Sequence, residues 1–430
     1  MRIIADLHIH SPYSRAVSKQ MTLENLDYWA RLKGITVMGT GDFTHPAWIK
    51  EIKTKLESAE CGLFVFKSKF SNSDLQTNLK SQSSNSKTRF MLTVEISSIY
   101  SKGGKTRRVH NLIFVPSIET AEKINAILGI RGNIKSDGRP ILGLDSKELA
   151  KIVFNMDPKA VLVPAHAWTP WFSVFGSMSG FDTLEECFDE YAKNIFAVET
   201  GLSSDPAMNW RVSRLDNIAL ISNSDSHSLQ RIGREANVFD TELSYDGIIG
   251  AIKSHDPKKF LFTVEFFPEE GKYHYDGHRL CKFSCGPEKT KKLKKICPKC
   301  GKPMTVGVMY RVEELADRKA GEKPKTVIPY KSMVPLDEII AESFGVGTAS
   351  KKVKNEYNNL VDKIGSEFAI LMDAQKSDLE RAALPEIVEG IMRVREGKLH
   401  IEPGFDGEYG HVKIFEETER KEISKQKSLF

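Results

Sequence analysis

The first 265 residues of the sequence predict an α/β fold in which parallel strands and helices alternate as a barrel or an open sheet. Seven short apolar runs recur, and they are continuous, as is typical of strands buried on both faces. Amphipathic segments lie between most of these runs, which is the pattern of β-α units. The predicted strands cover residues 2–10, 35–44, 89–97, 108–116, 160–168, 195–201 and 218–227, and the clearest helices cover 23–34, 146–156 and 244–255.

The composition is that of an ordinary soluble protein. Of the 430 residues, 40% are hydrophobic and 28% are charged, and no apolar stretch approaches the ~20 residues of a membrane span. The chain starts directly with a strand and has no signal-peptide pattern, so the cytoplasm is the predicted location. The net charge of +5 permits an acidic partner without requiring one.

Four of the six cysteines form a cluster, Cys281-x3-Cys285 and Cys297-x2-Cys300. In a cytosolic chain this spacing indicates a metal site and not disulfides. Four thiolates would hold a structural Zn²⁺ tetrahedrally.

Helical periodicity follows this cluster, over residues 336–345, 351–374 and 378–398. The predicted organisation has three parts. They are a metal-dependent catalytic barrel over 1–265, a four-cysteine zinc module over 266–330, and a helical C-terminal domain with a flexible tail over 331–430.

An acid or a histidine stands at or just beyond the end of nearly every predicted strand. In parallel barrels the carboxyl ends of the strands build the active site. These ligands exceed the about four that one zinc ion takes, and they suit two or three divalent ions of the kind that hydrolyse phosphoesters. The residues are Asp6, His8, His10, Asp42, Glu95, His110, His166, Glu199, Asp225 and His227.

This order of motifs resembles the PHP superfamily of metal-dependent phosphoesterases: HxH after the first strand, then Asp, Glu, two lone histidines and a terminal DxH. The resemblance covers roughly residues 1–265 and implies a distorted seven-stranded (β/α) barrel with a trinuclear metal centre. It implies that His8, His10, Glu95 and Asp225 are catalytic and hold one ion. Glu95 would bridge to a second ion on His110 and His166, while Asp42 and His227 would help to hold a third.

One departure from the family pattern concerns the third ion. Many PHP proteins have further histidines where this sequence has Arg15 and Phe43. Two expectations are open: the third site is weaker, or His45 compensates. Arg15 is also a candidate to bind substrate phosphate, because a guanidinium matches phosphate oxygens.

The cysteine region carries a strong positive charge. Residues 281–302 contain eight lysines and one acid, Glu288. Lys289, Lys291 and Lys292 are candidate contacts to nucleic-acid phosphates, and a solvated lysine face on a structural zinc module is the alternative.

The barrel, the cysteine module and the helical tail together resemble the archaeal endonuclease Q family over nearly the full chain. The resemblance implies a DNA repair endonuclease that nicks 5′ of uracil, hypoxanthine, xanthine or abasic sites. Such an enzyme must take the damaged base out of the stack. Trp168, Trp171 and Phe172 are candidates to hold that base, with core packing as the alternative, and Ser204 is a candidate to read its edge.

Two segments have open roles. Residues 67–89 are rich in Ser, Asn and Lys, and they predict either a solvated loop or a basic strip near nucleic acid. The tail 426–430, QKSLF, matches the start of a motif that binds the sliding clamp PCNA, but the aromatic pair of that motif would fall beyond residue 430. Clamp binding and chance similarity are both open.

Two other function classes are compatible with the sequence. One is a small-molecule phosphomonoesterase of the histidinol-phosphatase kind, and the other is a binding protein with a structural metal. The catalytic ion is also open, since His-rich sites accept zinc and manganese while carboxylates and phosphate favour magnesium.

Overall fold

The computed structural model describes residues 1–70, 87–416 and 419, and it has the α/β fold that the sequence predicts. Most of the polar segment 67–89 and all of the clamp-like tail 426–430 lie outside the described residues. Within the described ranges, no helix is long and apolar enough to cross a membrane.

Each of the seven predicted runs contains a strand, and further short strands flank them; the number of barrel strands stays a prediction. The described strands are β1 (Arg2–Asp6), β2 (Val37–Gly39), β3 (Leu56–Ser58), β4 (Phe64–Phe66), β5 (Arg89–Lys102), β6 (Lys105–Val115), β7 (Ile141–Leu142), β8 (Val161–Pro164), β9 (Ala197–Glu199), β10 (Ala219–Ile221), β11 (Ala236–Asp240), β12 (Phe260–Glu265), β13 (Asp276–His278), β14 (Phe283–Cys285), β15 (Tyr330–Ser332), β16 (His400–Glu402) and β17 (His411–Lys413).

The main sheet is only partly parallel, which corrects the prediction of a parallel sheet. Its order is β15-β12-β11-β1-β2-β5-β4-β3, and β6 pairs with both β5 and β8. The β1–β2 and β2–β5 pairs are parallel, whereas β1–β11, β5–β6 and β6–β8 are antiparallel. Between β5 and β6, Gly103 and Gly104 have φ angles of 62° and 72°. Such a two-residue hairpin turn leaves no room for a crossover helix.

The helices cover the sheet and form the C-terminal region. The α-helices are α1 (Leu23–Lys33), α2 (Pro46–Lys55), α3 (Ile118–Arg131), α4 (Ser146–Met156), α5 (Leu184–Phe188), α6 (Pro206–Asn209), α7 (Tyr245–Ser254), α8 (Pro287–Lys292), α9 (Val308–Leu315), α10 (Leu336–Phe344), α11 (Lys351–Ile364), α12 (Lys376–Ala382) and α13 (Pro385–Glu396). Short 3-10 helices are Ser68–Phe70, Asp189–Asn194, Ser213–Leu215, Leu229–Arg231, Pro268–Glu270 and Arg279–Cys281, and a π-helix is Ala369–Asp373.

Local sequence signals explain where several helices begin and end. Helix α1 follows Thr22, whose hydroxyl accepts the Asn25 N–H, and it ends at Gly34 with a φ of 88°. The helix predicted over 351–374 is broken at Gly365, which has a φ of 127°. The helix predicted over 378–398 is split before Pro385, because proline is favoured in the first turn of a helix and not inside it.

The C-terminal helices pack directly on the barrel. A single apolar cluster contains Leu26 and Trp48 of the barrel helices together with Ile339 and Val361 of the C-terminal helices. Strand β15, which spans the predicted boundary between the zinc module and the C-terminal domain, pairs with β12 in parallel and extends the barrel sheet. The division into three domains stays a prediction.

Candidate metal centre and active site

Strand β1 ends at Asp6, and this carboxylate fixes the opposite loop. Its oxygens accept hydrogen bonds from Ser224 N (3.1 Å) and Gly233 N (2.9 Å). Burial raises the pKa of Asp6 to about 6. The chain after β1 is thereby tied to the loop after β10, and His8 and His10 lie beside Asp225.

Four predicted ligands form the first cluster: His8, His10, Glu95 and Asp225. One ligand atom from each lies within 4.8 Å of the others. His10 Nε2 is 3.1 Å from Asp225 Oδ1 and 3.3 Å from Glu95 Oε2. His8 Nε2 is 3.5 Å from Asp225 Oδ1 and 3.6 Å from Glu95 Oε2, and it is buried without a hydrogen-bond partner. A divalent cation would satisfy that nitrogen and both carboxylates, so the donor set fits a metal.

Glu95, His110 and His166 form the second cluster, again with ligand atoms within 4.8 Å of one another. Glu95 Oε1 is 2.6 Å from His110 Nδ1 and 3.1 Å from His166 Nε2. Since Oε2 of the same carboxylate faces the first cluster, Glu95 is placed to bridge two ions. The two clusters group the same residues that the resemblance implies, and their role as metal ligands stays a prediction.

The side chains of the clusters have displaced pKa values. Burial lowers the pKa of His8, but Glu199, Asp225 and Glu95 outweigh it and raise this pKa well above the usual value. Burial lowers the pKa of His110 to about 4, so this ring is neutral near pH 7 and can ligate a metal. Burial opposes ionisation of Glu95, but His110 and Arg139 hold its pKa well below the usual range. Against the effect of burial, Asp42, Asp225 and Glu95 likewise raise the pKa of His10 well above the usual value, so metal binding would release protons from both His8 and His10.

Glu199 contacts a residue of each cluster, and the sequence alone assigns it no role. Its Oε1 lies 3.0 Å from His8 Nδ1 and accepts a hydrogen bond from Asn223 Nδ2 (2.9 Å). Its Oε2 accepts a hydrogen bond from the main-chain N–H of His166 (2.9 Å). A carboxylate on the second ring nitrogen fixes the tautomer of a ligating histidine. Glu199 thus orients a ligand of each cluster.

Asp42 and His227, the residues predicted to help hold a third ion, contact ligands of the first cluster, and their role as ligands stays a prediction. Asp42 Oδ1 lies 3.1 Å from His10 Nδ1, and its Oδ2 accepts from Ser11 N (2.7 Å), Ser11 Oγ (2.6 Å) and Ser14 Oγ (2.8 Å). Both oxygens are engaged, so Asp42 orients His10. His227 Nδ1 donates a hydrogen bond to the main-chain oxygen of Asp225 (2.9 Å). In the part of the chain that the structure describes, neither residue belongs to a third group of three or more candidate ligands, and the His45 ring stacks on that of Tyr13 at 4.3 Å.

Three residues at the candidate metal centre have positive φ angles. Asp42, His166 and Asp225 have φ angles of 50°, 30° and 45°. Residues other than glycine seldom adopt positive φ, and such residues cluster at functional sites.

Arg15 and Arg139 both contact Asp137, and the sequence suggests Arg15 as the phosphate contact. Arg15 is 78% exposed, and its Nε is 3.3 Å from Asp137 Oδ2. Arg139 reaches the centre, with Nη1 3.1 Å from Glu95 Oε2. The sequence signal for Arg139 is slight, an arginine in the Asp-Gly-Arg-Pro turn before β7.

The aromatic side chains of the loop after β8 lie partly in the core and partly at the surface. Trp168 is 1% exposed, and its indole N–H donates to Asn209 Oδ1 (2.8 Å). The prediction that Trp168 contacts substrate is therefore wrong, because its side chain packs in the core. Ser204 is 1% exposed and donates to Thr200 O (2.9 Å), which removes it from the surface as well. Trp171 remains 39% exposed, and the Phe172 ring lies 4.8 Å from that of His110.

The cysteine module contains a Cys₃His group. His278, Cys281, Cys297 and Cys300 have ligand atoms within 4.8 Å of one another, and His278 takes the place predicted for Cys285. In the β13–β14 hairpin His278 pairs with Phe283, near the turn, whereas Cys285 pairs with Asp276 at the far end. The thiol of Cys285 is 3.3 Å from Thr290 Oγ1.

The predicted lysines lie on the surface of this module. Lys291 Nζ pairs with Glu313 Oε1 at 2.9 Å, and Lys289 Nζ lies 5.4 Å from the centroid of the Phe283 ring. Lys289 and Lys292 line a groove whose other basic residues are Arg211, Arg318 and Lys319.

Comparisons with known sequences give two relatives. The chain is 30% identical to the uncharacterized protein YqxK of Bacillus subtilis over 427 residues, 96% of this chain and 99% of YqxK. It is 35% identical to the uncharacterized protein MJ0043 of Methanocaldococcus jannaschii over 288 residues, 64% of this chain but only 35% of the length of MJ0043. The family model of the MJ0043 C-terminal domain matches residues 335–398.

Solved structures match the whole chain. The lesion-specific endonuclease PfuEndoQ from Pyrococcus furiosus has a TM-score of 0.83 and 33% identity, covering 97% of this chain and 96% of that one. An endonuclease Q in complex with a 27-mer duplex substrate with an abasic lesion at the active site has a TM-score of 0.81 and 34% identity, covering 97% and 98%.

The fold and the two ligand clusters define a PHP-type metal-dependent phosphoesterase, a class of hydrolases. The full-length similarity goes further. The chain belongs to the endonuclease Q family.

Proposed function

We propose that this protein is a DNA repair endonuclease that hydrolyses the phosphodiester 5′ of a deaminated base or an abasic site. The observation that carries the proposal is the carboxylate of Glu95, whose two oxygens face two separate ligand clusters. The full-length similarity to endonuclease Q structures, one of them bound to a lesion-containing duplex, supports DNA as the substrate.

The donor atoms support a centre of two ions. Mg²⁺ or Mn²⁺ would supply an activated water and neutralise charge on the attacked phosphate. His8, His10 and Asp225 would hold one ion and His110 and His166 the other, with Glu95 shared. The products would be a 3′-hydroxyl and a 5′-phosphate.

The remaining features fit binding of a damaged duplex. Trp171 is exposed, directly precedes Phe172, whose ring contacts His110, and offers a face on which a base can stack. Lys289, Lys291 and Lys292 offer charge to the DNA backbone. We propose that His278, Cys281, Cys297 and Cys300 hold a structural Zn²⁺ that keeps these lysines in place.

The test uses labelled duplexes with a single deoxyuracil, deoxyinosine, deoxyxanthosine or abasic site, next to an undamaged duplex, with added Mg²⁺ or Mn²⁺. A nick immediately 5′ of the lesion alone supports the proposal. The variant Asp225→Ala, which removes a ligand but no positive charge, should bind the duplex and leave it intact. Steady hydrolysis of a small phosphomonoester without any nick would instead favour the phosphatase alternative.

A further inference from the structure

We infer that Arg139 is a catalytic residue that binds a non-bridging oxygen of the scissile phosphate, an inference that rests on the proposed phosphodiester hydrolysis. The Nη1 atom of Arg139 lies 3.1 Å from Glu95 Oε2, the oxygen that faces His8 and His10. Phosphate bound across the two clusters would therefore lie within reach of this guanidinium.

The loop that carries Arg139 is held rigidly against the centre. Asp137 Oδ1 accepts hydrogen bonds from Arg139 N (3.1 Å) and from Arg15 N (3.3 Å). Gly138 N donates to Tyr13 O (3.2 Å), and Ser97 N donates to Pro140 O (3.1 Å). The loop is thus fixed to the segment after β1 and to β5, both of which carry ligands. A group positioned in this way needs little reorganisation to contact a substrate.

Gly138 explains how the loop comes so close. A Cβ atom at this position would lie 2.2 Å from Asp42 Oδ2 and 2.4 Å from Ser14 Oγ. Only a residue without a side chain can lie against the carboxylate that orients His10. The next side chain along the chain then starts at the edge of the centre.

Hydrogen bonding leaves most of the guanidinium available. Within the described ranges Nη1 donates to Glu95, while Nε and Nη2 have no hydrogen-bond partner. The side chain is 27% exposed, whereas the Glu95 carboxylate is fully buried. Arginine presents five donors in a planar fork that suits phosphate, so free donors at an open edge are well placed for an anion.

The charge balance at the centre also supports a contact between Arg139 and phosphate. Once Glu95 binds two cations, its oxygens no longer compensate the charge of Arg139, and the arginine requires another anion. A phosphodiester on the same ions supplies it. Arg234, the other arginine near Asp225, is buried and donates through Nε to Ser224 O (2.9 Å), so it does not point to the open edge.

The experiment compares wild type with Arg139→Ala, Arg139→Lys and the matched control Arg381→Ala, which removes an arginine of helix α12 whose side chain is 77% exposed. Each Mn²⁺-loaded protein is assayed for metal content by mass spectrometry, for the inhibition constant of inorganic phosphate, and for hydrolysis of bis(p-nitrophenyl) phosphate. Cleavage of the abasic duplex is measured in parallel. Guanidinium ion is added to Arg139→Ala to replace the missing group.

Loss of one preorganised donor to a developing anion costs about 10²–10³-fold in rate, and this loss is expected in Arg139→Ala. Metal content should be unchanged, phosphate should inhibit at least about tenfold more weakly, and guanidinium should restore part of the rate. Arg139→Lys should be intermediate, because it keeps the charge but loses the fork. Arg381→Ala should match wild type.

Two results would overturn the inference. One is unchanged phosphate inhibition in Arg139→Ala, and the other is a loss of metal that parallels the loss of activity, which would mean that Arg139 only holds Glu95. Failure of the proposed function looks different. In that case wild type leaves the abasic duplex intact while it hydrolyses the small diester, and weakened phosphate inhibition in Arg139→Ala still supports a phosphate contact.

Discussion

The imidazole Nδ1 of His278 lies 3.4 Å from Cys300 Sγ, and with Cys281 and Cys297 this pair makes a four-ligand group. We expect His278→Ala to lose bound zinc, because three ligands hold the ion less tightly than four. Zinc per chain, measured by mass spectrometry after desalting, should fall from about one towards zero.

Cys285 provides the matched control for the zinc site. Cys285→Ser should retain zinc, since this thiol is next to Thr290 and not in the group. If Cys285→Ser empties the site while His278→Ala keeps the ion, the four-cysteine arrangement is correct and the Cys₃His arrangement is not.

Glu199 should control the metal affinity of the first cluster. Glu199→Gln removes the charge that orients His8 and fixes its tautomer. Loss of such a partner typically weakens metal binding by about 10–100-fold. Titration of the metal-depleted protein with Mn²⁺, followed by calorimetry, measures the change. Glu185→Gln, at an exposed position, serves as the control, and equal affinities for the two variants would refute the role of Glu199.

A buried ion pair joins the barrel to the C-terminal helices. Lys33 Nζ is 2.7 Å from Glu367 Oε2, with the side chains 4% and 7% exposed, and Glu367 also accepts from Tyr357 Oη (2.7 Å) and Leu336 N (3.2 Å). Lys33→Met should lower the free energy of unfolding by about 3–5 kcal/mol, because it leaves a buried carboxylate without its counter-ion.

The double variant Lys33→Met/Glu367→Gln should recover much of this loss, as it removes both charges. Urea denaturation followed by tryptophan fluorescence reports the difference. Lys53→Met is the control, because its pair with Glu122 is about half exposed and such pairs contribute about 0–1 kcal/mol. An equal loss for the two lysine variants would show that the buried pair has no special role.

Stability should depend on pH through a buried pair of acids. Burial raises the pKa of Glu265 to about 8, and burial together with Glu265 raises the pKa of Glu235 well above its usual range. The folded state therefore retains protons that the unfolded chain releases near pH 4.5. The linked contribution of Glu265 to stability is fully present below that pH and is lost as the pH rises through about 8.

Glu265→Gln should flatten this dependence and make the protein more stable than wild type above pH 8, because the amide never has to ionise. Thermal midpoints between pH 5 and 9 measure the slope. Glu288→Gln, an exposed acid, should leave the slope as it is in wild type. A wild-type midpoint that rises over this range would contradict the assignment.

Residue type and strand periodicity were sufficient to single out His8, His10, Glu95, His110, His166 and Asp225 as candidate ligands, because each lies in or just after a recognisable buried strand. The roles of Glu199, Arg139 and Asp42 depend on loops that are far apart in sequence. No local pattern shows that Asp42 is saturated by Ser11 and Ser14, or that the turn at Gly138 brings Arg139 to Glu95.

The ligands of the zinc module could also be predicted only in part from the sequence. Cysteine spacing alone selects four thiols, but ligand choice depends on which end of the β13–β14 hairpin each side chain occupies. Similarly, sequence places Trp168 and Trp171 in one aromatic stretch, and only tertiary packing separates the buried ring from the exposed one.

These two tryptophans give the last prediction. Trp171 is 39% exposed, and its ring lies 6.0 Å from Tyr273, so Trp171→Ala should leave the unfolding midpoint unchanged. It should weaken binding of the lesion-containing duplex by about 1–3 kcal/mol, the typical loss for one stacked base. Trp168→Ala should instead destabilise the fold by about 3–5 kcal/mol, since it empties a core position.

Fluorescence anisotropy with abasic and undamaged duplexes, next to urea denaturation, separates the two effects. Trp171→Phe is the matched control, because it keeps an aromatic face and should bind the abasic duplex nearly as tightly as wild type. If Trp171→Ala binds both duplexes with wild-type affinity, Trp171 does not stack on a base. The wall of the lesion site would then have to be sought among the residues around His110, such as Phe172, whose ring lies 4.8 Å from that of His110.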